Sequence, residues 1–188
     1  MNIHGNLVKL RAPEVGDMDL LHKWSNDPEI WKMLGGWHFP FSTRSTLEWI
    51  QSRKDGNLTD HVFCIETENE GIIGTANLIN IDWKNKNAFH GMMIGKKDLR
   101  GKGYAIDALL SIMRYAFMDL GLQRLDGDMI EYNQRSIDFY IKKGGWKREG
   151  IKKNWFYRDG RYYDKVIVGV EREDYQRIIE ETNYWGKA

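Results

Sequence analysis

A short glycine-rich segment offers the clearest chemistry in this 188-residue chain. It reads Arg-Gly-Lys-Gly-Tyr-Ala at residues 100–105 and lies between an apolar run and an amphipathic one. Glycines let successive backbone N–H groups point into one concavity, and a helix N-terminus adds about half a positive charge. The segment therefore predicts a cradle for a pyrophosphate, although a flexible, solvated basic loop is the plainer alternative. A P-loop would continue with Ser or Thr, and a dinucleotide fingerprint would need a small residue where Ile106 stands.

The elements around this loop predict an α/β (α+β) fold with a largely antiparallel sheet. Strand patterns cover residues 7–11, 61–66, 72–81, 88–94, 124–130, 146–157 and 162–171. Helical spacing starts at Asp17, Pro28, Ser42 or Thr43, Tyr104 and Asn133, and each of these residues suits a helix N-terminus. With no linker or repeat in the sequence, we expect a single domain over residues 1–188.

Composition narrows the class of protein. Lys and Arg number 28 against 27 acidic residues, a balance that argues against a direct nucleic-acid binder. No apolar run approaches the ~20 residues of a membrane span, and the N-terminal residues lack the apolar core of a signal peptide. The single cysteine excludes an intramolecular disulfide, and the five histidines form no ligand cluster, so we predict no metal. A cytoplasmic protein, with a homodimer as one possible assembly, is the expectation.

Three motifs in order resemble the GNAT superfamily of acetyl-CoA-dependent N-acetyltransferases. Residues 100–105 match every defined position of the family hexad Arg/Gln-x-x-Gly-x-Gly/Ala. Residues 133–146 resemble the element Asn-x-x-Ser-x-x-x-Tyr-x-x-x-Gly-Phe, with one extra glycine and Trp146 in place of Phe. Residues 23–30 are similar to the opening helices of the ribosomal-protein (RimJ/RimL-like), polyamine and amino-sugar branch. The resemblance runs from about Leu7 to Tyr175 and implies a mixed, mostly antiparallel twisted sheet that is splayed at the acetyl-CoA site.

The resemblance implies that acetyl-CoA is the acetyl donor and indicates which residues bind it. Backbone amides of the strand before the loop would pair with the pantetheine arm, and the loop would hold the pyrophosphate. Asn133 would bond a pantetheine amide or simply cap its helix. The implied cofactor-binding residues are Met93, Ile94, Arg100, Gly101, Lys102, Gly103, Tyr104, Ala105, Asn133 and Ser136.

Two residues are candidates for catalysis in this reading. Tyr140 stands where many family members place a tyrosine general acid, and a hydrogen bond to a sulfur of pKa ~8.5 needs no prior ionisation of tyrosine. The alternative for Tyr140 is packing against Trp146. His90 lies on the strand where relatives often carry a glutamate, and its ordinary pKa of ~6.5 suits removal of an ammonium proton. A structural histidine is the alternative there, with Glu131, Asp128 and Asp126 as other candidates for the base.

Aromatic residues are candidates for the acceptor pocket. Trp31, Trp37 and His38 flank the Gly35-Gly36 break, and Trp155 lies on the closing hairpin. Aromatic rings suit an amine cation, and core packing is the alternative for any single ring. The sequence thus predicts transfer of acetyl from acetyl-CoA to a primary amine on a small molecule or peptide. The alternative function is a non-catalytic acyl-CoA-binding regulatory or protein-interaction module.

Overall fold

The computed structural model describes residues 2–36, 39–53 and 56–186, and within those ranges eight strands form one sheet. The sheet order is β1-β2-β3-β4-β5-β6-β8-β7. In chain order the strands β1 to β8 are Ile3–His4, Lys9–Arg11, His61–Thr67, Gly71–Asp82, Asn87–Ile94, Arg124–Ile130, Lys147–Arg158 and Arg161–Glu171. All neighbouring strands run antiparallel except β5 and β6, which are parallel. The mostly antiparallel mixed sheet expected from the sequence is confirmed.

Six α-helices, α1 to α6, cover the sheet within the described ranges: Met18–Ser25, Pro28–Met33, Thr43–Gln51, Tyr104–Arg114, Gln134–Asp138 and Arg172–Thr182. The side chains of Asp27, Ser42 and Asn133 accept backbone N–H groups at the starts of α2, α3 and α5. Asp17 precedes α1 but makes no cap bond to that helix, because its carboxylate is held by Arg11 and by the backbone of Glu14. None of the described helices combines the length and apolar character that crossing a bilayer requires.

The two faces of the sheet bury different clusters. One face packs against α4, α5 and α6 and carries the larger apolar core, which includes Leu109, Phe117 and Trp146. The other face packs against α1, α2 and α3 around the buried side chains Leu21, Trp24, Ile30, Ile50, Cys64 and Ile72. Along β5, Met92 packs in the first core and Met93 in the second, as side-chain alternation on a strand requires.

The sheet opens at its centre. β5 and β6 pair only from Asn87 with Arg124 to Phe89 with Asp126, although β5 continues to Ile94 and β6 to Ile130. A Cβ on Gly127 would lie 3.2 Å from the Trp146 ring, so this ring fills the space beside the point where the strands part. The divergence leaves one edge of each strand free to meet something other than the sheet.

Candidate active site

A cleft of about 1240 Å³ occupies the gap between β5 and β6. Its walls come from α2, β5, the loop before α4, α5, β6 and the β7–β8 hairpin. It reaches from the glycine-rich loop at one end to the hairpin aromatics at the other. The candidate residues are described below in that direction.

Backbone geometry makes the loop before α4 a concave set of donors. Gly101 and Gly103 have φ angles of 83° and 90°, which lie in the left-handed region that residues with a side chain rarely adopt. The amide N–H groups of residues 101–106 bond to no described residue, and the first helical bond runs from Asp107 N–H to the Gly103 carbonyl. Gly101, Gly103 and Ala105 line the cleft, so these amides and the α4 N-terminus form a site suited to a phosphate.

Two guanidinium groups stand beside this loop. Burial, and then the nearby charge of Arg135, lowers the pKa of Arg100, whose side chain also donates to the Ile94 carbonyl at 3.1 Å. Both arginines line the cleft. Lys102 is exposed and is not one of the lining residues, while the Tyr104 ring packs toward the main core. Two adjacent cations over free amides favour a polyanionic ligand.

The unpaired edge of β5 presents backbone to the cleft. Met93 and Ile94 both line it, but their side chains are partly buried in opposite cores. Their free strand edge is therefore what an amide-containing chain could pair with, in the way that a further strand would. Asn77 on β4 supports this region, because its Oδ1 accepts the Gly91 N–H at 2.9 Å.

His90 and Tyr140 form a buried hydrogen-bonded pair on the α5 side of β5. His90 Nδ1 lies 2.9 Å from the Asn77 carbonyl, which can only accept, so Nδ1 carries the proton. Nε2 then accepts the Tyr140 hydroxyl at 3.0 Å. Burial lowers the pKa of His90 to about 4 and raises the pKa of Tyr140. Both His90 nitrogens are thus bonded within the protein, and the imidazole is neutral near pH 7.

A π-helical turn positions Tyr140 at the cleft. The turn covers Phe139–Lys143, directly after α5, and closes with a bond from Gly144 N–H to the Phe139 carbonyl. The Tyr140 ring lies 5.0 Å from the Trp146 ring in an edge-to-face contact. Such turns often mark functional sites, because the extra residue changes which side chains face inward. Tyr140 therefore combines the packing expected of a core ring with a place on the cleft wall.

Asn133 and Ser136 line the cleft at the start of α5. The Asn133 side chain accepts the Ser136 N–H at 3.3 Å and donates to the Met33 carbonyl at 3.1 Å. It therefore caps α5 and ties that helix to the end of α2. The bond to Met33 brings the two walls of the cleft together.

The far end of the cleft is built by side chains from β6, β7 and β8. Asp128 Oδ2 lies 2.7 Å from Lys165 Nζ, and Nζ lies 4.6 Å from the Trp155 ring centre and 5.4 Å from that of Phe156. Adjacent strand residues normally face opposite sides, but a bulge between Lys152 and Phe156, with Asn154 at φ 51°, lets both rings reach one lysine. This end offers a carboxylate paired with an ammonium group that lies against two aromatic rings.

Of the described residues predicted to bind the acceptor, Trp155 belongs to this group and Trp31 does not. Trp31 is not a lining residue, and its indole N–H donates to the Ser25 carbonyl. Trp37 and His38 lie outside the described residues. Trp155 is half exposed and lines the cleft as predicted from the sequence.

Several lining residues carry sequence signals that are too weak to be read alone. Lys165 follows Asp164 just before the apolar run of β8 at residues 166–170, Arg135 lies inside the Asn-to-Tyr motif, and Asp128 follows a glycine on β6. Among the described residues no group of three metal-ligating side chains occurs.

Comparison with known proteins identifies the kind of molecule this cleft belongs to. The sequence profile of the acetyltransferase (GNAT) domain matches residues 8–145. The chain is 27% identical to the SPbeta prophage-derived uncharacterized N-acetyltransferase YokL of Bacillus subtilis (strain 168), covering 92% of this chain and 94% of that protein. It is 26% identical to spermidine N(1)-acetyltransferase of Vibrio cholerae, covering 89% and 95%. A crystal structure of the spermidine N-acetyltransferase from Vibrio cholerae with CoA and spermine shares the fold, with a TM-score of 0.81 at 24% identity, covering 90% of this chain and 98% of that one.

Proposed function

The chain belongs to the acetyltransferase (GNAT) family, and from that premise we propose that it transfers acetyl from acetyl-CoA directly to a primary amine held at the Asp128 end of the cleft. The family predicted from three sequence motifs is thereby confirmed, and the protein is an N-acetyltransferase that uses acetyl-CoA as its donor. The direct transfer, the acceptor and the roles of individual residues form the proposal.

The donor end fits acetyl-CoA by its chemistry. The free amides of residues 101–106 and the guanidinium groups of Arg100 and Arg135 would hold the pyrophosphate. The open β5 edge at Met93 and Ile94 would pair with the amides of the pantetheine arm. Acetyl-CoA supplies an acetyl group already activated as a thioester. The chain has to align it and exclude water.

Tyr140 is the proposed hydrogen-bond donor to the departing sulfur. Its raised pKa makes full proton loss costly, so the hydroxyl would act by hydrogen bonding while the C–S bond breaks. The hydroxyl has one proton, which it donates to His90 Nε2 in this structure and would turn toward the sulfur as negative charge develops there. His90 is a positioning residue in this proposal, since its Nε2 holds the hydroxyl in place until that step. The sequence favoured His90 as the base, but a neutral imidazole with both nitrogens bonded is poorly arranged to reach an amine.

Asp128 is the proposed partner of the acceptor amine. Its Oδ2 binds Lys165, whereas its Oδ1 accepts a hydrogen bond from no described residue and would lie 3.8 Å from a Cβ on Gly35. An incoming ammonium group could donate to this oxygen and give up one proton to it, which leaves the neutral amine that attacks the thioester carbonyl. When the adduct collapses and the C–S bond breaks, nitrogen loses a second proton, which balances the one that the thiolate takes up. The first proton passes from Asp128 to solvent.

The parted strands carry the proposal. One gap holds a phosphate cradle at one end, a tyrosine hydroxyl in the middle and an open carboxylate oxygen at the other. The similarity to a spermidine acetyltransferase supports a small-molecule amine as the acceptor. A single domain over residues 1–188, a cytoplasmic location, a homodimer and the lack of direct nucleic-acid binding all stay predictions.

Acetyl transfer from radiolabelled acetyl-CoA tests the function. The acceptor panel is N-terminal peptides, polyamines, amino sugars, nucleotide-linked amino sugars and aminoglycosides. We expect amine-dependent labelling, and in Asp128→Asn a fall in kcat of roughly 10²-fold or more with acetyl-CoA affinity retained.

Asp126→Asn is the matched control for this test. Asp126 lies on the same face of β6 two residues earlier, pairs with Arg124 at 2.5 Å and does not line the cleft. It should stay near wild type in kcat. Full activity in Asp128→Asn would exclude Asp128 as the base, and the absence of amine-dependent transfer across the panel would overturn the proposed function.

A further inference from the structure

Lys165 is already bound at the end of the cleft where the acceptor amine is expected. Its ammonium group bonds Asp128 at 2.7 Å and lies against the faces of Trp155 and Phe156, and its side chain is only 15% exposed. Carboxylate and aromatic faces are the partners that an amine cation prefers in proteins. The chain therefore places a fixed positive charge beside the atoms that would receive the substrate.

A second lysine adds to this charge. Lys152 faces Lys165 directly across the β7–β8 pair, and its Nζ lies 4.7 Å from the same Trp155 ring. Lys152 forms no ion pair with a described residue, whereas the next residue, Lys153, is paired with Asp164 at 2.6 Å. Two ammonium groups thus share one indole, and within the described part of the chain Asp128 is the only carboxylate bound to either.

The remaining acidic groups on the cleft wall are engaged elsewhere. Glu29 binds Lys97 at 2.6 Å, and Asp138 binds Lys142 at 2.9 Å. Asp128 and Lys165 line the acceptor end and balance each other's charge, and the exposed Lys152, which is not a lining residue, adds one net positive charge beside them. Each further ammonium group of a polycationic acceptor would meet these lysines at close range, where like charges repel.

We propose that the acceptor is an amine with an anionic group, carboxylate or phosphate, a few bonds away, and that Lys165 is the residue which selects it. This inference rests on the proposed function, because it assigns the acceptor of the same cleft. The amine donates to Asp128 Oδ1, and the anion accepts from the N–H groups of Lys165 that Asp128 leaves free. Lys152 provides the second positive contact.

Matched acceptor pairs test the selection. Phenylalanine is compared with phenylalaninamide, and glucosamine 1-phosphate with glucosamine, so that each pair differs in the anion alone. Spermidine serves as the polycation. We measure kcat/KM for acetylation, and by calorimetry the binding of each acceptor to the CoA-loaded enzyme. The wild type should favour the anionic member of at least one pair by roughly 10- to 100-fold, the worth of one charge-assisted hydrogen bond.

Lys165→Met is one atom shorter but keeps an unbranched side chain that can pack against the rings, and it removes the charge. It should erase the preference within the pair and raise the relative rate with spermidine, and Lys165→Arg should restore the preference. Lys153→Met is the control on the same hairpin and should leave the preference unchanged.

The outcomes separate this inference from the proposed function. Preference for the neutral members or for spermidine in the wild type, or equal losses on both members in Lys165→Met, overturns the selection while leaving the acetyltransferase intact. The pair in which the anionic member is preferred shows whether the anion of the acceptor is a carboxylate or a phosphate. If no acceptor is acetylated at all, the proposed function and this inference fall together.

Discussion

The two ends of the cleft are built in different ways. At the proposed donor end the groups available to a ligand are backbone amides of residues 101–106, set by two glycines with positive φ at the start of α4. At the proposed acceptor end they are side chains, Asp128 and Lys165 with two aromatic rings, gathered from three strands and a bulge. A backbone site is specified over a few consecutive residues, whereas a side-chain site depends on how distant segments pack. The backbone site can therefore keep its ligand while substitutions in the side-chain site change the specificity for the acceptor.

Tyr140 lies between the two ends of the cleft, so removal of its hydroxyl should affect catalysis and leave binding at both ends intact. We expect the largest effect from this variant. In Tyr140→Phe, binding of both substrates should survive and kcat should fall roughly 10²–10⁴-fold, because the ring stays while the proposed hydrogen bond to the sulfur is lost together with the bond to His90. Steady-state kinetics and acetyl-CoA calorimetry measure the two quantities.

A second tyrosine–histidine pair supplies the control for this loss. The Tyr115 hydroxyl lies 3.1 Å from His61 Nδ1, and neither residue lines the cleft. Tyr115→Phe should keep kcat near wild type. If the two variants behave alike, the Tyr140 hydroxyl is structural.

The donor end should lose affinity for acetyl-CoA when a bulky side chain is added to one of its glycines. Gly103→Val places a branched side chain at φ 90°, with its Cβ 3.3 Å from Leu7 Cδ1, and distorts the amides that face the phosphate. We expect acetyl-CoA to bind roughly 10- to 100-fold more weakly by calorimetry.

Gly160→Val separates this loss from general backbone strain. Gly160 has φ 81° in the β7–β8 turn, with no atom near its Cβ position. It should lose comparable stability while keeping its acetyl-CoA affinity. An unchanged affinity in folded Gly103→Val would show that these amides do not hold acetyl-CoA.

The same contrast explains what the sequence predicts and what it leaves open. The cradle follows from a local pattern, and the strand and helix periods anticipate most elements, including the change of spacing after Gly103. The short β1 at Ile3–His4 is not predicted, because two residues are too few to show a period. The ion pair of Asp128 with Lys165 joins residues 37 apart along the chain and needs the register of β6 with β8, which no local pattern encodes.

His90 shows a similar limit within a correctly predicted strand. Alternation correctly places His90 on one face with Met92 and Ile94. It does not tell which face the cleft uses, nor that Tyr140 and Trp146 would bury the ring to 2% exposure. That burial lowers the pKa of His90 from its ordinary ~6.5 to about 4, so titration of His90 would not produce a rising limb in the rate near pH 6–7, as a histidine base would.

His90→Gln therefore separates a base from a positioning residue. If His90 only positions Tyr140, its replacement should lower kcat roughly tenfold, which is the contribution of one hydrogen bond. Any rise of the rate between pH 6 and 7 should then remain in the variant. Initial rates over pH 5.5–9 with an identified acceptor measure this. Loss of such a limb in the variant would restore His90 as the base.

The lowered pKa of His90 also predicts how stability depends on pH. The unfolded chain takes up a proton near pH 6.5 that the folded imidazole refuses until about pH 4. The free energy of unfolding should therefore fall by up to about 3 kcal/mol as pH drops through this window, a loss that His90→Gln lacks. Urea titrations at pH 7 and pH 4.5 compare the two proteins. A constant difference in free energy between them would contradict the burial argument.

The smallest expected effect lies behind the cradle, on the far side of α4. Asp107 is fully buried one turn after Gly103, and its carboxylate accepts the backbone N–H groups of Asn6, Leu7 and Val8 and the Tyr184 hydroxyl at 2.7 Å. Tyr184→Phe removes one of these four bonds and leaves the other three, so unfolding should cost about 1 kcal/mol less, read as a shift of a few degrees in Tm. Acetyl-CoA affinity should stay unchanged, because the three backbone bonds still hold α4 against the N-terminal strands. A fall in affinity that matches the loss of stability would mean that the cradle depends on packing from behind, and the donor end would then be more local than the acceptor end only in degree.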